Sequence, residues 1–474
     1  MATVGLGVLA NTLDGSILNL AYPILTDVFD TKPSMVLWVT VAFLLVSATL
    51  ALPLGTVGDM FGRKRLYIFG FIVFTFGLAL TTFSQNIGQM IAFRVIQGVG
   101  TAMMLSISNA LVVGAFPDME RGKALGVNGA LVGFGLASGP VLGGLILDFL
   151  GWRALFWTRI PVSIVGVIAA SIVLRPERGM PIKQNFDYYG TTVLMIGLSA
   201  LLLLINRAPI DGMSPMVILL FGMALCGLGA FWVFEKRAPV PVFDFQLLKR
   251  RLFALAVASS LLQFMAQAAV LFLMPFYLLQ GLGMQPWEAG PILMTLPITR
   301  LVISPLSGVL SDRFQSRTIS TLGLIVMLFG YLLLMNLQVD SSIGSIVLGL
   351  VLAGCGGAMF LPPNNSVVMG SVSRDRLGMV SAVIPVVRQM GFSLGITLIG
   401  TVYALREVFH RSRLQDLGLE SFELSRIAVV AGYKDGFSVA VAFVAISIIC
   451  SIFRGSDINL GGSMVYSRDT EPSN

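Results

Sequence analysis

The residue with the clearest potential for chemistry is Asp14, a carboxylate inside an apolar segment near the start of the chain. It lies about 16 Å along that segment if the segment is helical. An ionised carboxylate at this depth in an apolar medium costs several kcal/mol unless it is protonated, paired or hydrated. Such a group suits the loading and release of a proton. The alternative is a structural hydrogen-bond anchor for the nearby Asn11.

A second charged group, Arg94, lies in another apolar segment and is followed by Gln97 and Thr101. Spacings of three and seven residues place these three side chains on one face of a helix. A buried guanidinium needs an anion, a carbonyl oxygen or water as a partner. Arg94 is therefore a candidate functional residue, and a purely structural arginine is the alternative.

Uncharged polar and aromatic residues recur in several other apolar segments. A cavity of amides and aromatic rings beside one carboxylate would suit bulky lipophilic cations, which bind through cation–π contacts and adaptable packing. Most Phe residues in such segments simply face lipid or the core. The candidate cavity residues are Asn11, Asn109, Gln263, Phe264, Gln267, Tyr277, Asn364, Asn365 and Arg388.

The amino-acid composition predicts the class of protein in which these residues lie. Of the 474 residues, 56% are hydrophobic and only 12% are charged, against about 25% charged in soluble proteins. The chain is therefore predicted to be an all-α polytopic membrane protein with fourteen spans of about 20 residues each. The three cysteines lie in apolar segments without a pairing pattern, so neither a disulfide scaffold nor a metal site is expected. The single histidine, His410, is placed in a polar loop.

Two short charged hairpins indicate an internal repeat. The first contains Gly55, Asp59, Gly62 and Arg63, and a weaker copy contains Asp312 and Arg313. Glycines allow two helices and their turn to approach closely. Asp59 is expected to pair with Arg63 or a helix N-terminus as a conformational latch. Two such hairpins predict two related halves.

The predicted domains follow from the positions of these hairpins. They are an N-terminal six-helix bundle at 1–175, two additional spans with linkers and an interfacial helix at 176–252, and a C-terminal six-helix bundle at 253–456. A disordered tail occupies 457–474. Lys and Arg are in excess in the segments on the side of the hairpins, which predicts that both termini are cytoplasmic and that a loop at about 404–435 lies outside.

The fifth span contains a cluster of helix-weakening residues. Gly135, Gly139, Pro140 and Gly143 fall within ten residues of one another. Such residues are tolerated where a helix bends and packs closely against another backbone. We therefore expect this span to lie against another helix at a functional position.

These motifs resemble the major facilitator superfamily over nearly the whole chain. The hairpin at 55–64, the fourth-span motif at 94–100 and the fifth-span cluster are similar to its signatures, and residues 13–23 are similar to the first-helix motif of fourteen-span drug/proton antiporters. The resemblance implies proton-driven export of lipophilic, often cationic, compounds from the bacterial cytoplasm, with Asp14 as the proton and cation carboxylate and Arg94 as its coupling partner. Two positions depart from the family pattern. Arg159 stands where asparagine is common, and Gln315 stands where glycine is usual.

Other classes of function make different demands on the buried residues. An exporter of one metabolite, peptide or siderophore would use a similar cavity, whereas a non-transporting sensor or scaffold would not need buried charges. No nucleophile–base set, metal cluster or phosphate loop indicates an enzyme. The expected partners are small-molecule substrates, protons and membrane lipids, without nucleic acid or a cofactor, and the expected state is a monomer.

Overall fold

The computed structural model describes residues 2–115, 121–174, 188–237, 247–371, 377–415 and 421–455, and within these ranges the chain is helical without strands. The helices of the first half are α1 Ala2–Ile17, α2 Ala21–Val28, α3 Pro33–Phe61, α4 Arg63–Thr82, α5 Ile87–Ala115, α6 Arg121–Leu150, α7 Ala154–Trp157 and α8 Ile160–Val173. A 3₁₀ turn at Leu18–Leu20 joins α1 to α2, so these two form one broken span.

Two helices stand between the halves, and six more follow. The intervening pair is α9 Tyr188–Asp211 and α10 Pro215–Arg237. The second half consists of α11 Arg251–Phe276, α12 Pro286–Arg313, α13 Ser316–Met335, α14 Ile343–Gly370, α15 Leu377–Gln415 and α16 Ser421–Phe453. A π-helical turn at Tyr277–Gly281 extends α11. Of the predicted interfacial helix before residue 252, the described part is a single 3₁₀ turn at Leu247–Lys249.

The number of membrane spans agrees with the sequence prediction. Thirteen described helical segments are long and apolar enough to cross a membrane, and a shorter apolar helix at Thr192–Ile205 within α9 makes fourteen. Many large apolar side chains on these helices are exposed, for example Phe221 at 58% and Leu225 at 65% on α10. Because a lipid-facing side chain needs no burial inside the protein, this exposure fits a helix in a bilayer.

The two hairpins turn in different ways. Between α3 and α4 the turn is Gly62 alone, whose φ of 100° lies in a region that favours glycine. Between α12 and α13 the turn is Phe314 and Gln315, both with negative φ. The second hairpin can therefore carry Gln315 where the first requires glycine.

The helix packing of the two halves repeats in detail. A Cβ on Gly100 of α5 would lie 2.7 Å from the carbonyl oxygen of Gly70 on α4, and a Cβ on Gly356 of α14 would lie 2.5 Å from that of Gly323 on α13. Gly70 and Gly323 are 253 positions apart (323 − 70), as are Asp59 and Asp312 (312 − 59). Backbones thus touch at matching positions in both halves, as the hairpins predicted.

We call the end of the bundle with the Gly62 turn the hairpin end and the opposite end the far end. Close contacts between the halves occur toward the far end. Tyr22 of α2 lies 5.3 Å from Phe272 of α11 between ring centroids. A Cβ on Gly290 of α12 would lie 2.7 Å from the carbonyl oxygen of Pro140 on α6.

The prediction of a long polar loop at about 404–435 is wrong for the described residues. α15 continues to Gln415 and α16 begins at Ser421. At 39 residues α15 is about 58 Å long, well beyond the roughly 30 Å of a hydrocarbon core. His410 therefore lies on a helix that extends beyond the membrane. The sequence predicted a loop here because a helical segment that protrudes from the membrane is as rich in charged residues as a polar loop.

Candidate functional site

Asp14 is held where α1 packs tightly against α6. The Ser16 hydroxyl donates to the Gly135 carbonyl oxygen at 3.1 Å. A Cβ on Gly143 would lie 2.7 Å from the Ile17 carbonyl oxygen, and Gly139 lies directly against Ser16. The glycines of the predicted fifth-span cluster therefore bring the two backbones together, with Pro140 in the same stretch of α6. This packing fixes the part of α1 that carries the carboxylate.

The Asp14 carboxylate is completely buried and binds three side chains. Arg94 Nη1 donates to Oδ2 at 2.6 Å, and Gln97 Nε2 donates to Oδ1 at 2.9 Å. Arg159 Nη1 forms a second ion pair with Oδ1. We call Asp14, Arg94, Gln97 and Arg159 the Asp14 cluster. One carboxylate faces two guanidinium groups, so the cluster is positively charged when all three are ionised.

The helix face predicted for α5 is the one that faces α1. Arg94 Nη1 also donates to Gln97 Oε1 at 2.6 Å, and Thr101 donates to Asn11 Oδ1 at 3.0 Å. The guanidinium has further partners on α3, because its Nε donates to the Val39 carbonyl oxygen at 3.1 Å. Its carbon atom lies 4.2 Å from the centroid of the Phe43 ring. Arg94 is thus held in place by more than its ion pair.

Arg159 is the functional candidate that sequence reasoning missed. It lies just before α8, where its Nε donates to the Leu155 carbonyl oxygen at 2.6 Å and its guanidinium lies 5.6 Å from the Phe156 ring. In the sequence it was seen only as a departure from the family pattern. Charge balance could have identified it. Arg159 is a second guanidinium inside a span, it needs an anion, and Asp14 is the deep carboxylate that the sequence offers.

In the second half, the predicted glutamines form a different polar group. Gln267 Oε1 accepts from Arg300 Nη1 of α12 at 2.7 Å and from Gln263 Nε2 at 3.4 Å. Arg300 Nε and Nη2 are buried without a hydrogen-bond partner in the described structure, as is Gln263 Oε1. The guanidinium lies against the backbone of Gly357 on α14. The shift that relates Asp59 to Asp312 also relates Asp14 to Gln267, so an amide occupies the place of the carboxylate.

The other predicted cavity residues of this half include Phe264 and Arg388, which lie on α11 and α15, two helices that pack against each other. Phe264, largely buried, lies 5.5 Å from Phe392 between ring centroids. Arg388 is half-buried one helical turn before Phe392. Its neighbour Gln389 donates to Ser47 Oγ on α3 at 3.1 Å. Arg388 therefore adjoins a contact between the two halves.

Tyr277 lies away from both groups, in the π-helical turn at the far end. Its hydroxyl donates to the Gln338 carbonyl oxygen at 2.7 Å, and its ring stacks on Tyr433 with centroids 4.7 Å apart. The side chain is packed within the second half.

Asn364 is likewise fully buried, toward the hairpin end of α14. Its Nδ2 donates to the Ala256 carbonyl oxygen at 3.0 Å and to Ser260 at 2.8 Å, while its Oδ1 accepts from Arg454 at 2.8 Å. These bonds join α11, α14 and α16. Asn365, the next residue, is half-buried.

Some predicted motif residues lie outside the described side chains. They are Asn109, Asp59, Asp312 and Arg313, so the Asp59 latch remains a prediction. Beside the first hairpin, Lys64 donates to the Ser171 carbonyl oxygen of α8 at 2.7 Å. Gly55 has only ordinary neighbours, with the closest atom 3.8 Å from an added Cβ.

A bundle of membrane helices in two repeated halves, with a buried ion-pair cluster, has the architecture of a secondary transporter. No group of three or more metal-ligating side chains occurs in the described residues. The chain matches the Major Facilitator Superfamily over residues 4–396. It belongs to that family, so it is a multi-pass membrane transporter, and the prediction that it is not an enzyme is confirmed.

Similar proteins agree with this assignment. A riboflavin transporter of Clostridioides difficile (strain 630) is 30% identical over 448 residues, which are 94% of this chain and 95% of the relative. A multidrug transporter of Bacillus subtilis (strain 168) is 30% identical over 401 residues, covering 84% of this chain and 73% of the relative. An inward-facing, occupied structure of a bacterial homologue of the human lysosomal transporter Spinster shares the fold, with a TM-score of 0.67 at 16% identity over 96% of this chain and 95% of that chain.

Proposed function

We propose that this chain is a proton-coupled antiporter that exports lipophilic small molecules across the cytoplasmic membrane of a bacterium. The observation that carries the proposal is the Asp14 cluster, in which a single carboxylate is buried among ion-pair partners in the middle of the first span. The multidrug relative supports the substrate class. The fold supports alternating access by movement of one half against the other.

In this arrangement the two guanidinium groups and Gln97 favour the ionised form of Asp14, so on this proposal proton uptake accompanies a conformational change that moves these partners away. When Asp14 is protonated, both arginines lose their anion, which is costly for buried cations. Each nevertheless keeps a backbone carbonyl and an aromatic ring, namely Val39 and Phe43 for Arg94 and Leu155 and Phe156 for Arg159. These partners lower the cost of the protonated state.

The broken first span links this proton site to the contact between the halves. Asp14 lies one turn before the 3₁₀ segment Leu18–Leu20, and Tyr22, which contacts Phe272, follows it. A 3₁₀ stretch inside a helix often marks a hinge. Opening of the far end would move α2, and the hinge would transmit that movement to α1. The protonation state of Asp14 and the side of the membrane to which the protein is open then change together.

The proposal includes the orientation of the chain in the membrane. The excess of Lys and Arg on the side of the hairpins places the hairpin end in the cytoplasm. Contacts between the halves toward the far end then correspond to a state closed to the outside. Cysteines introduced at Ser412 and at Ser467 test this orientation in intact cells. An impermeant thiol reagent should label the cysteine at position 412 and not the one at 467, and the reverse pattern would contradict the orientation.

The test of function is proton movement in proteoliposomes. Vesicles that contain the purified protein and a trapped pH indicator receive compounds from a panel of lipophilic cations, anions and neutral molecules. We expect active compounds to move protons with the wild type and not with Asp14→Asn, while Asp435→Asn, at the far end, retains the signal. Uphill transport without proton movement, or normal transport by Asp14→Asn, would rule the mechanism out.

A second candidate function is the transport of one specific metabolite. The similarity to a riboflavin transporter over nearly the whole length of both chains favours it. In the same panel, a response to riboflavin alone would select this candidate, whereas responses to several unrelated scaffolds would select multidrug export.

The predicted preference for cations loses its main support in the structure. It depended on Asp14 as a carboxylate free to bind a positive charge. Asp14 is instead completely buried and paired with Arg94 and Arg159. A cationic substrate would have to displace two guanidinium groups to reach it.

A further inference from the structure

The second half contains two membrane arginines without an anionic partner in the described structure. Arg300 has one hydrogen bond, to the neutral amide of Gln267, and two guanidinium nitrogens without a partner. No hydrogen bond or ion pair is formed by Arg388 among the described residues. Both lie about 16 to 20 Å from the hairpin end of their helices, well within the bilayer. Cations within the membrane that lack an anionic partner are costly and are a mark of function in membrane proteins.

The residues that follow the two arginines in the sequence contact the first half. Leu301, the residue after Arg300, packs against Gly133 of α6, where an added Cβ would lie 2.8 Å from Leu301 Cδ1. Gln389, the residue after Arg388, contacts Ser47 of α3 at 3.1 Å. α12 and α15 are therefore helices of the second half that meet the first, and each carries one of these cations. Alternating access opens and closes the surface between the halves, so it is where a transported molecule binds.

The charge balance at this level of the membrane is positive. Asp14 is the only carboxylate described deep within the spans, and it already has two guanidinium partners. Arg300 and Arg388 add two more positive charges. In a medium of low dielectric constant this arrangement repels a cation and attracts an anion. The N-terminal half supplies its own carboxylate, whereas the C-terminal half has Gln267 at the corresponding position.

A pair of aromatic rings lies on α11 and α15, the helices that carry Gln267 and Arg388. Phe264 and Phe392 form a pair with centroids 5.5 Å apart, and Arg388 lies one turn from Phe392 on α15. Flat aromatic compounds bind between such rings, and a planar guanidinium pairs well with the oxygen atoms of a carboxylate or phenolate. The two features together select an aromatic molecule that bears an anionic oxygen.

We propose that Arg300 and Arg388 bind the anionic oxygen of an aromatic amphiphilic substrate, which takes the place of the carboxylate missing from the second half. This inference rests on the proposed export function and specifies its substrate class. It replaces the lipophilic cation predicted from the sequence with an aromatic anion.

The test compares two dyes with the same xanthene skeleton and opposite charge. Fluorescence polarisation measures the binding of fluorescein, an anion, and of rhodamine 123, a cation, to the purified wild type at pH 7.5 without a proton gradient. We expect fluorescein to bind about 10-fold or more tightly, which corresponds to about 1.4 kcal/mol. Equal or tighter binding of rhodamine 123 would overturn the inference.

Variants then assign the preference to the two arginines. Arg300→Gln and Arg388→Gln should each weaken fluorescein binding by about 10-fold, the loss expected for a charge-assisted hydrogen bond. Arg388→Lys keeps the charge and should retain most of the affinity. Gln267→Glu supplies Arg300 with a carboxylate, so it should weaken fluorescein binding without leaving an unpaired charge that could disturb folding. Unchanged fluorescein affinity in both glutamine variants would also overturn the inference.

Binding without a gradient separates this inference from the proposed function. A wild type that prefers fluorescein but moves no protons in proteoliposomes would contradict proton coupling and leave the substrate class standing. Proton movement driven by rhodamine 123 and not by fluorescein would support coupling and reject the anionic substrate. Thermal unfolding of each variant serves as the folding control.

Discussion

The two halves of this transporter share their backbone packing and differ in their polar chemistry. Gly70 and Gly100 touch in the first half as Gly323 and Gly356 do in the second. The polar residues do not follow this repeat. Asp14 corresponds to Gln267 by the shift between the hairpins. Close helix contact constrains residue size at fixed points, while the side chains between those points are free to change.

The difference extends to the residues that surround the carboxylate. Gly100 of α5 and Gly356 of α14 occupy matching places, which gives a shift of 256 positions (356 − 100) and relates Gln97 to Ala353. Ala353 is buried and apolar, whereas Gln97 binds Asp14. The first half therefore carries a complete ion-pair cluster, whereas Arg300 and Arg388 of the second half have no anionic partner in the described structure. We infer that the two halves have different roles, with proton coupling in the first half and substrate recognition in the second.

The largest effect on stability and transport is expected from Asp14→Asn, which removes the carboxylate that distinguishes the first half from the second. The substitution leaves Arg94 and Arg159 buried without an anion, and loss of one partner of a buried ion pair costs about 3–5 kcal/mol. We expect a marked fall in the thermal unfolding temperature in detergent, together with loss of proton-driven transport.

A double variant distinguishes charge imbalance from a loss of shape. Arg159→Asn in the Asp14→Asn background removes one of the two uncompensated cations, so it should recover part of the lost stability. Gln267→Asn, the matched change in the second half, alters no charge and should cost much less. Stability losses of equal size for Asp14→Asn and Gln267→Asn would show that the two positions are equivalent.

The sequence predicted those parts of the site that depend on helix periodicity. Arg94, Gln97 and Thr101 share one face because their spacing follows the helical repeat, and the glycines of α6 indicated a close helix contact. Arg159 was not linked to Asp14, because residues 145 positions apart meet only through tertiary packing. The interior hydrogen bonds of Asn364 were missed for the same reason. Polarity in a span marks a need for partners, and it does not say whether those partners are a substrate or another helix.

A smaller effect is expected at the two hairpin turns. Gly62→Ala places a Cβ on a residue with φ 100°, which should destabilise the protein by about 1–2 kcal/mol. Gln315→Ala, in the corresponding turn, introduces no backbone strain because φ there is −61°. Thermal unfolding of both variants measures the difference. An equal response would show that the turns are under the same backbone constraint despite their different dihedral angles.

The smallest effect is expected from Asp435→Asn, which makes the same chemical change as Asp14→Asn in a different environment. Asp435 also has two basic partners, because its Oδ2 accepts from Arg406 Nε at 2.6 Å and lies 2.8 Å from His410 Nε2. These side chains are at the protruding far end of α15 and α16, where about a quarter to two-fifths of each is exposed. Water replaces the lost partner there, so the substitution should cost about 1 kcal/mol or less. Because each carboxylate has two basic partners, the ratio of the two stability losses mainly measures the effect of burial. A loss as large as that of Asp14→Asn would mean that the far-end cluster is a structural core, and that burial is not what distinguishes the two carboxylates.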